Sequence, residues 1–219
     1  LFNFRMNLMR ALANAGHTGV AVAPMDGYAA RIEAHGMAFE ALRLAGTGTN
    51  PVVELRSVFD LATIFRRKDI DLVLSYTPKG NLYSALACML GRAQFVANVS
   101  GLGRAFTVRS LTTRITRLLY RLTLRRAQRV FFQNQEDLDT FTAAGLVLRT
   151  RAVRLPGSGV DLAHFAPRHA SAAQPSSAPV FLLVARMLWD KGVDDFVAAA
   201  RLVRARCPEA RFQLLGFLG

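Results

Sequence analysis

The sequence predicts an α/β protein of parallel sheets in two domains, and three observations carry the prediction. The apolar residues switch repeatedly between a helical and a strand-like period. The segments between strand candidates are long enough for the crossovers that parallel strands require. The rhythm also stops at a stretch rich in Ala, Ser and Pro and then restarts. In chain order, Phe2–Asn14 reads as an amphipathic helix, with Leu8, Leu12 and Ala15 on one face and Gly16 as its stop. Strand, helix and strand follow at 19–23, 27–35 and 39–44. Pro51 opens a helix to about Arg67. Strand 70–75, helix 80–90, strand 94–99, a long basic helix 109–126, strand 129–133, helix 135–143 and strand 151–155 complete the first domain, 1–166. Because the chain opens inside a helix, an upstream first strand is expected. Residues 167–179 read as a linker. Strand 180–185, helix Val193–Arg206 and strand Arg211–Leu215 begin a second domain, 180–219. One strand-helix-strand piece cannot bury both faces of its sheet, so this domain is expected to continue.

Composition narrows the function classes. Hydrophobic residues make up 52% and charged residues 20%, enough apolar matter for a sizeable core. No apolar run reaches the roughly 18–20 residues of a membrane span, and no stretch has the layout of a signal peptide. Cys88 and Cys207 read as buried, reduced thiols with no metal-ligand spacing around them. The net charge is +13, and it is concentrated. Between Leu72 and Gln135 there are ten Lys and Arg and no acidic residue, whereas the rest of the chain holds 18 basic against 15 acidic residues. Such a segment attracts an anionic surface or substrate. Arg114, Arg117, Arg121 and Arg125 recur at spacings of three and four, with Leu111, Ile115, Leu118, Leu119 and Leu122 as the apolar side. This helix suits anionic lipid headgroups, or is a solvated face over a core helix. Nucleic acid is disfavoured, because aromatic residues are not interleaved with the cations as stacking platforms would need.

Four loops carry candidate chemistry. Residues 185–192, Ala-Arg-Met-Leu-Trp-Asp-Lys-Gly, sit where a buried strand ends and a helix begins, the place where open α/β sheets bind ligands. Arg186 and Lys191 flank that turn. A guanidinium can pair two phosphate oxygens, a lysine adds a compact charge, and the helix start offers N–H donors, which together suit a diphosphate. The plain alternative is a surface turn with two solvated cations. Leu155-Pro156-Gly157-Ser158-Gly159-Val160-Asp161 has two glycines that permit positive φ and close backbone approach, or is an interdomain turn. Val99-Ser100-Gly101-Leu102-Gly103-Arg104 resembles a phosphate cradle without a dinucleotide or P-loop motif. Ser75-Tyr76-Thr77-Pro78-Lys79-Gly80-Asn81 lies at another strand end, where Tyr76, Lys79 and Asn81 are candidates to face a cleft, or form a capped helix start. His17 is a cleft candidate or a structural hydrogen-bonder. Gln133-Asn134 with Asp137 reads as a helix cap.

Taken in order, these pieces resemble retaining glycosyltransferase family 4. The match runs from Asn3-Phe4-Arg5, Gly16-His17 and Pro24-Met25-Asp26-Gly27 through Tyr76-Thr77-Pro78-Lys79, Asn98 to Gly103 and Phe131 to Asn134. It closes on Pro156 to Asp161 and on Arg186 with Asp190-Lys191-Gly192. The resemblance implies the GT-B fold of two Rossmann-like domains, with an acceptor-side domain first and the sugar-nucleotide domain second. It implies that Arg186 and Lys191 bind the donor diphosphate. It leaves Tyr76 and Lys79 as weak catalytic candidates, since the family commonly has His where this chain has Tyr76. His17, Asn81, Ser100, Gly101, Gly103, Arg104, Gly157 and Gly159 are acceptor or cleft candidates. The implied reaction moves a sugar from a nucleotide sugar, UDP-linked by expectation, to a polyprenyl-diphosphate-linked saccharide with retention, in cell-surface polysaccharide or oligosaccharide synthesis. It needs no metal or other cofactor. The expected location is cytoplasmic, peripheral at the inner face of the membrane. The chain alone is expected to be inactive, because the family's glycine-rich loop would precede Leu1 and its acidic motif would follow Gly219. The rivals are a GT-B UDP-sugar epimerase and a non-catalytic basic membrane-surface module.

Overall fold

The computed structural model describes residues 2–43, 50–101, 111–163, 165, 166 and 178–217. The chain forms two compact units, Leu1–Phe165 and Ala166–Gly219. In the first unit the order is α1 (Phe2–Asn14), β1 (Val20–Ala23), α2 (Ala29–Ala34), β2 (Ala38–Ala41), α3 (Pro51–Arg67), β3 (Leu72–Tyr76) and α4 (Pro78–Met89). Then come β4 (Gln94–Val99), α5 (Leu111–Leu124), β5 (Arg129–Phe132), α6 (Gln135–Ala143), a 3-10 turn (Arg149–Arg151) and β6 (Ala152–Arg154). The second unit holds β7 (Val180–Val184), a 3-10 turn (Trp189–Lys191), α7 (Val193–Arg206) and β8 (Arg211–Leu215). This is the α/β class predicted, with every described strand pair parallel.

The strands of the first unit are β1 beside β2 and a separate four-stranded sheet in the order β3-β4-β5-β6. Val73, Phe95, Ala97, Val99, Val130 and Phe132 point to one face of the larger sheet and are buried. Helices α3 to α6 cover that face, contributing Leu61, Phe65, Tyr83, Tyr120, Leu138 and Phe141 to the same core. The alternate residues Leu74, Val96 and Phe131 lie on the other face, and Leu74 remains 37% exposed. A second small cluster, Met6, Ala21, Ile32 and Met37, seats α1 and α2 on the β1–β2 pair.

Local chemistry fixes the helix starts. Asn50 caps α3 by accepting the Val52 N–H at 3.1 Å, with Pro51 in the first turn. Asn134 caps α6, accepting the Asp137 N–H at 2.7 Å, while its amide donates to Asp137 Oδ2 at 3.0 Å. Helix α4 begins earlier than the expected Gly80, because the Thr77 hydroxyl accepts the Gly80 N–H at 3.2 Å and starts the helix at Pro78. Thr77 holds φ 72° and ψ 150°, a region a β-branched residue seldom visits. Strain of this kind costs of order 1–3 kcal/mol. Exchanging a threonine cap for glycine costs only a few tenths, and the added chain entropy costs about 0.5–1 kcal/mol. Thr77→Gly should therefore leave stability unchanged or raise it by about 1 kcal/mol. A urea melt showing a loss above about 1 kcal/mol would sink that account.

The structure corrects the expected packing of α5. Tyr120, Thr123 and Leu124 face the core, at 4%, 1% and 0% exposure, whereas Ile115, Leu118 and Leu122 of the expected apolar side stand outward at 52%, 56% and 54%. Thr123 is compatible with the core because its hydroxyl donates to the Leu119 carbonyl at 2.7 Å, which satisfies its only donor inside the helix. Arg151 holds the end of α5 by donating to the carbonyls of Arg125 and Ala127, both at 2.9 Å. Cys88 and Cys207 are free and half-buried rather than buried. Burial pushes the Cys88 thiol up to about 12, so it is not a reactive thiolate at neutral pH.

Candidate functional site

The first unit contains a cleft of about 960 Å³ along the open face of its four-stranded sheet, at the carboxyl ends of the strands. Helix α1 supplies Arg5, Leu8 and Arg10 to its wall, the strand ends supply Tyr76 and Asn98, and the loop after β6 supplies Gly157 to Asp161. The sheet register explains the meeting of the strand residues, since Tyr76 and Asn98 are paired across β3 and β4. A smaller cavity of about 410 Å³ lies at the opposite end, by the residues that precede β3 and β4. Ligands of open α/β sheets bind at the carboxyl ends, which favours the larger cleft.

The Arg5 guanidinium sits over the Tyr76 ring, 3.8 Å from its centroid. Such a contact is worth about 0.5–2 kcal/mol. Burial pushes the Tyr76 phenol up, and the Arg5 cation only partly opposes that. At neutral pH Tyr76 is therefore a hydroxyl that donates or accepts a hydrogen bond, not a phenolate base. Asn98 Oδ1 is buried with no hydrogen-bond partner among the described residues. An unmet buried acceptor costs about 1–3 kcal/mol. Gly157 and Gly159 hold φ 79° and 70°, which admits the tight loop at the cleft rim. Gln133 Nε2 donates to Ser158 Oγ at 3.1 Å and ties that loop to the end of β5.

Other sequence candidates lie elsewhere. Asn81 is 1% exposed, its Oδ1 accepts from Ser75 Oγ at 2.6 Å, and its Nδ2 donates to the Asn98 carbonyl at 2.9 Å. It locks α4 to β3 and β4 and does not face the cleft, because its polar atoms are used by the strands. Lys79 does not line the cleft either. Its Nζ lies 2.7 Å from Glu54 Oε1, and Glu54 also accepts the Tyr83 hydroxyl. His17, Ser100 and Gly101 are described but do not line the cleft, and His17 is exposed in the turn after α1. Gly103 and Arg104 lie outside the described residues. Arg5 and Asn98 were missed as site residues, although both stand in motifs quoted for the family resemblance. No local signal announces that α1 will lay Arg5 across a strand end far along the chain.

The Glu54 cluster gives a pH prediction. Burial raises the Glu54 carboxyl, but hydrogen bonds from Lys79 and Tyr83 and the Lys79 charge outweigh it, so the net effect is a carboxyl held below its ordinary value. A carboxyl lowered on folding stabilises the protein above its unfolded value, about 4.3. That contribution is lost as pH falls through the lower folded value. Glu54→Gln should be less stable than the parent near neutral pH, with the gap closing in acid. A gap that stays constant in urea melts from about pH 7 to about pH 3 would contradict the assignment.

In the second unit the turn after β7 carries the diphosphate candidates. Gly192 adopts the left-handed conformation at φ 69° and precedes α7 without a side-chain cap. Lys191, 42% exposed, lies 3.7 Å from Asp190 Oδ2, and Arg186 is exposed. Asp194 and Asp195 occupy the first turn of α7 and already complement its dipole. Anion recognition here would thus rest on the two side chains more than on the helix start. Among the described residues no group of three or more His, Cys, Asp or Glu gathers to hold a metal.

Residues 3–158 match the model of the glycosyl transferase 4-like domain. The chain belongs to that family. It is 24% identical over 230 residues to N,N'-diacetylbacillosaminyl-diphospho-undecaprenol alpha-1,3-N-acetylgalactosaminyltransferase of Campylobacter jejuni, covering 99% of this chain and 60% of that protein. The chain thus spans well under two thirds of this relative's length. Among solved structures it resembles a glycosyltransferase of Rickettsia africae, with a TM-score of 0.66 at 15% identity, over 97% of this chain and 63% of the other. It also resembles HepE of Anabaena in complex with UDP and glucose, with a TM-score of 0.60 at 16% identity, over 97% and 65%. These likenesses place the glycosyl transferase 4-like chain in the GT-B fold. Among its described residues no helix is long and apolar enough to cross a membrane.

Proposed function

We propose that this chain is the acceptor-side domain and the beginning of the donor-side domain of a retaining glycosyltransferase. It would move a sugar from a nucleotide sugar, UDP-linked, to a polyprenyl-diphosphate-linked saccharide in cell-surface polysaccharide or oligosaccharide synthesis. The observation that carries the reading is the cleft at the strand ends of the first unit, in a chain of a glycosyltransferase family. Its apolar wall is joined by Arg5 and Arg10, its floor holds the unmet Asn98 acceptor, and Tyr76 offers a neutral hydroxyl. Saccharide hydroxyls find a hydrogen-bond partner in the Tyr76 hydroxyl, and a phosphorylated acceptor finds cations on α1. The name of the Campylobacter relative specifies a diphospho-undecaprenol acceptor, and the HepE structure holds UDP and glucose, which supports the same substrate classes here.

In the reaction the sugar's anomeric carbon leaves the diphosphate, which takes the bonding electrons. A new bond forms to an acceptor hydroxyl oxygen, and that hydroxyl gives up its proton. Negative charge grows on the departing diphosphate, so cations at Arg186 and Lys191 stabilise the transition state more than the bound donor. We place the enzyme at the inner face of the membrane, where its lipid-linked acceptor is held, and expect the 219-residue chain by itself to be inactive. The test is to supply the complete gene product with UDP-sugars and a water-soluble, short-chain prenyl-diphosphate saccharide. Transfer with retained anomeric configuration is the expected result. Inversion would overturn retention, and epimerised UDP-sugar without transfer would overturn the transferase reading.

A further inference from the structure

We propose that Gly216 is a positioning residue of the donor site: its missing side chain lets the end of β8 close against the end of β7, and that contact aims Arg186 and Lys191. The proposal rests on the reading that these two cations hold the donor diphosphate, and it adds what fixes them in place.

The pairing of β7 with β8 does not stop where the strands end. The register sets Val184 beside Leu215. Beyond it the Ala185 N–H donates to the Leu215 carbonyl at 3.1 Å, and the Met187 N–H to the Phe217 carbonyl at 3.0 Å. Gly216 lies between those two bonds, next to Ala185. A Cβ on Gly216 would stand 1.7 Å from the Ala185 carbonyl oxygen, 2.8 Å from its carbon and 2.9 Å from Met187 Cε. Non-bonded heavy atoms are best placed about 3.5–4.0 Å apart, so any side chain must push the two segments apart by about 1–2 Å. A methionine tip can swing aside, but a carbonyl moves only with its whole peptide plane. Among the described glycines this is the one position where a Cβ would strike backbone.

The demand differs from that at Gly192. Gly192 needs its positive φ of 69°, and a Cβ there would meet only Asp195 Oδ2, at 3.7 Å. Gly216 is not among the positive-φ glycines and needs space instead. Gly216 thus fixes the beginning of the turn and Gly192 its end. Between them the chain is short and bonded to itself. The Leu188 N–H donates to the Arg186 carbonyl at 2.7 Å, and the Lys191 N–H to the Leu188 carbonyl at 3.0 Å. A displacement of Ala185 therefore passes to Arg186, the next residue, and through these bonds to Lys191. Both cations are exposed, so the backbone sets where their charges stand. Misplacing a group at a reacting centre by about 1 Å costs on the order of 100-fold in rate.

The test uses the complete gene product with UDP-sugar and the water-soluble acceptor. Gly216→Ala should lower kcat by about 10- to 100-fold, with the KM for acceptor within about twofold of the parent. In an Arg186→Ala background the same change should cost less than about fivefold, because the nearer cation is no longer there to be misaimed, whereas independent effects multiply in full. Adding Met187→Ala to Gly216→Ala should not restore the rate, since the obstacle is the Ala185 carbonyl and not the methionine tip. Hydrogen exchange of the peptide spanning 185–192 should be faster in Gly216→Ala than in the parent, with peptides of the first unit unchanged. The proposal is overturned if Gly216→Ala keeps kcat within about threefold, if its effect multiplies in full in the Arg186→Ala background, if Met187→Ala restores the rate, or if exchange of that peptide does not change. Loss of the circular-dichroism signal in Gly216→Ala overturns it too, since the glycine then serves the fold and not the turn. A parent enzyme that transfers no sugar would instead refute the glycosyltransferase reading, and the exchange measurement would still report whether Gly216 holds the turn.

Discussion

Phe141→Ala should lower the unfolding free energy of the first unit by about 3–5 kcal/mol. Phe141 on α6 is 0% exposed and meets Phe132 of β5 edge-to-face at 5.2 Å and Tyr120 of α5 at 5.9 Å. It therefore joins two helices to the sheet at one point. Truncation removes the transfer energy of the ring and two aromatic contacts, each worth about 0.5–1.5 kcal/mol beyond area. It also leaves a cavity lined by Phe132, which the rigid sheet cannot collapse to fill. Phe141→Leu keeps most of the volume and should cost clearly less. The single tryptophan, Trp189, lies in the second unit and is 84% exposed, so its fluorescence will not follow this transition. Urea melts should be followed by far-ultraviolet circular dichroism, with the slope checked for constancy. A loss below about 1 kcal/mol would mean that the aromatic junction is not a keystone of the core.

Arg186→Ala and Lys191→Ala should each lower kcat/KM of the complete enzyme by about 2–4 kcal/mol, with a fall in kcat as well as weaker donor binding. The split matters. A cation that merely attracts the nucleotide raises KM when removed, whereas one beside the developing charge lowers kcat. The turn favours the second outcome, because Gly192 in its left-handed conformation brings Lys191 to the start of α7 and fixes its place relative to the strand end. Asp190 lies 3.7 Å from Lys191 and is the counter-ion that a diphosphate bound there would have to displace. The exposure of the pair keeps that displacement inexpensive, since exposed ion pairs are worth at most about 1 kcal/mol. Transfer within about threefold of the parent in both folded variants would make them solvated surface cations.

Much of the architecture was legible in the sequence. The order of helices and strands, the proline start of α3, the asparagine cap of α6, the mostly parallel pairing and the basic stretch follow from periodicity, cap chemistry and composition. These are local properties, set by residues within a few positions of one another. The glycines of the loop after β6 were also readable, because positive φ belongs to the residue itself.

The tertiary structure alone decided how side chains are spent. Asn81 and Lys79 have the polarity of site residues, yet Asn81 is taken up by Ser75 and the Asn98 backbone, and Lys79 by Glu54 on the preceding helix. Arg5 and Tyr76 meet because α1 lies across the open face of the sheet. Helix α5 carries two apolar arcs, and its periodicity does not say which one the core takes. That choice falls to Tyr120 and Leu124 because Phe141 and the buried face of the sheet offer them matching contacts, and a closely packed interior admits only the arc whose shape fits.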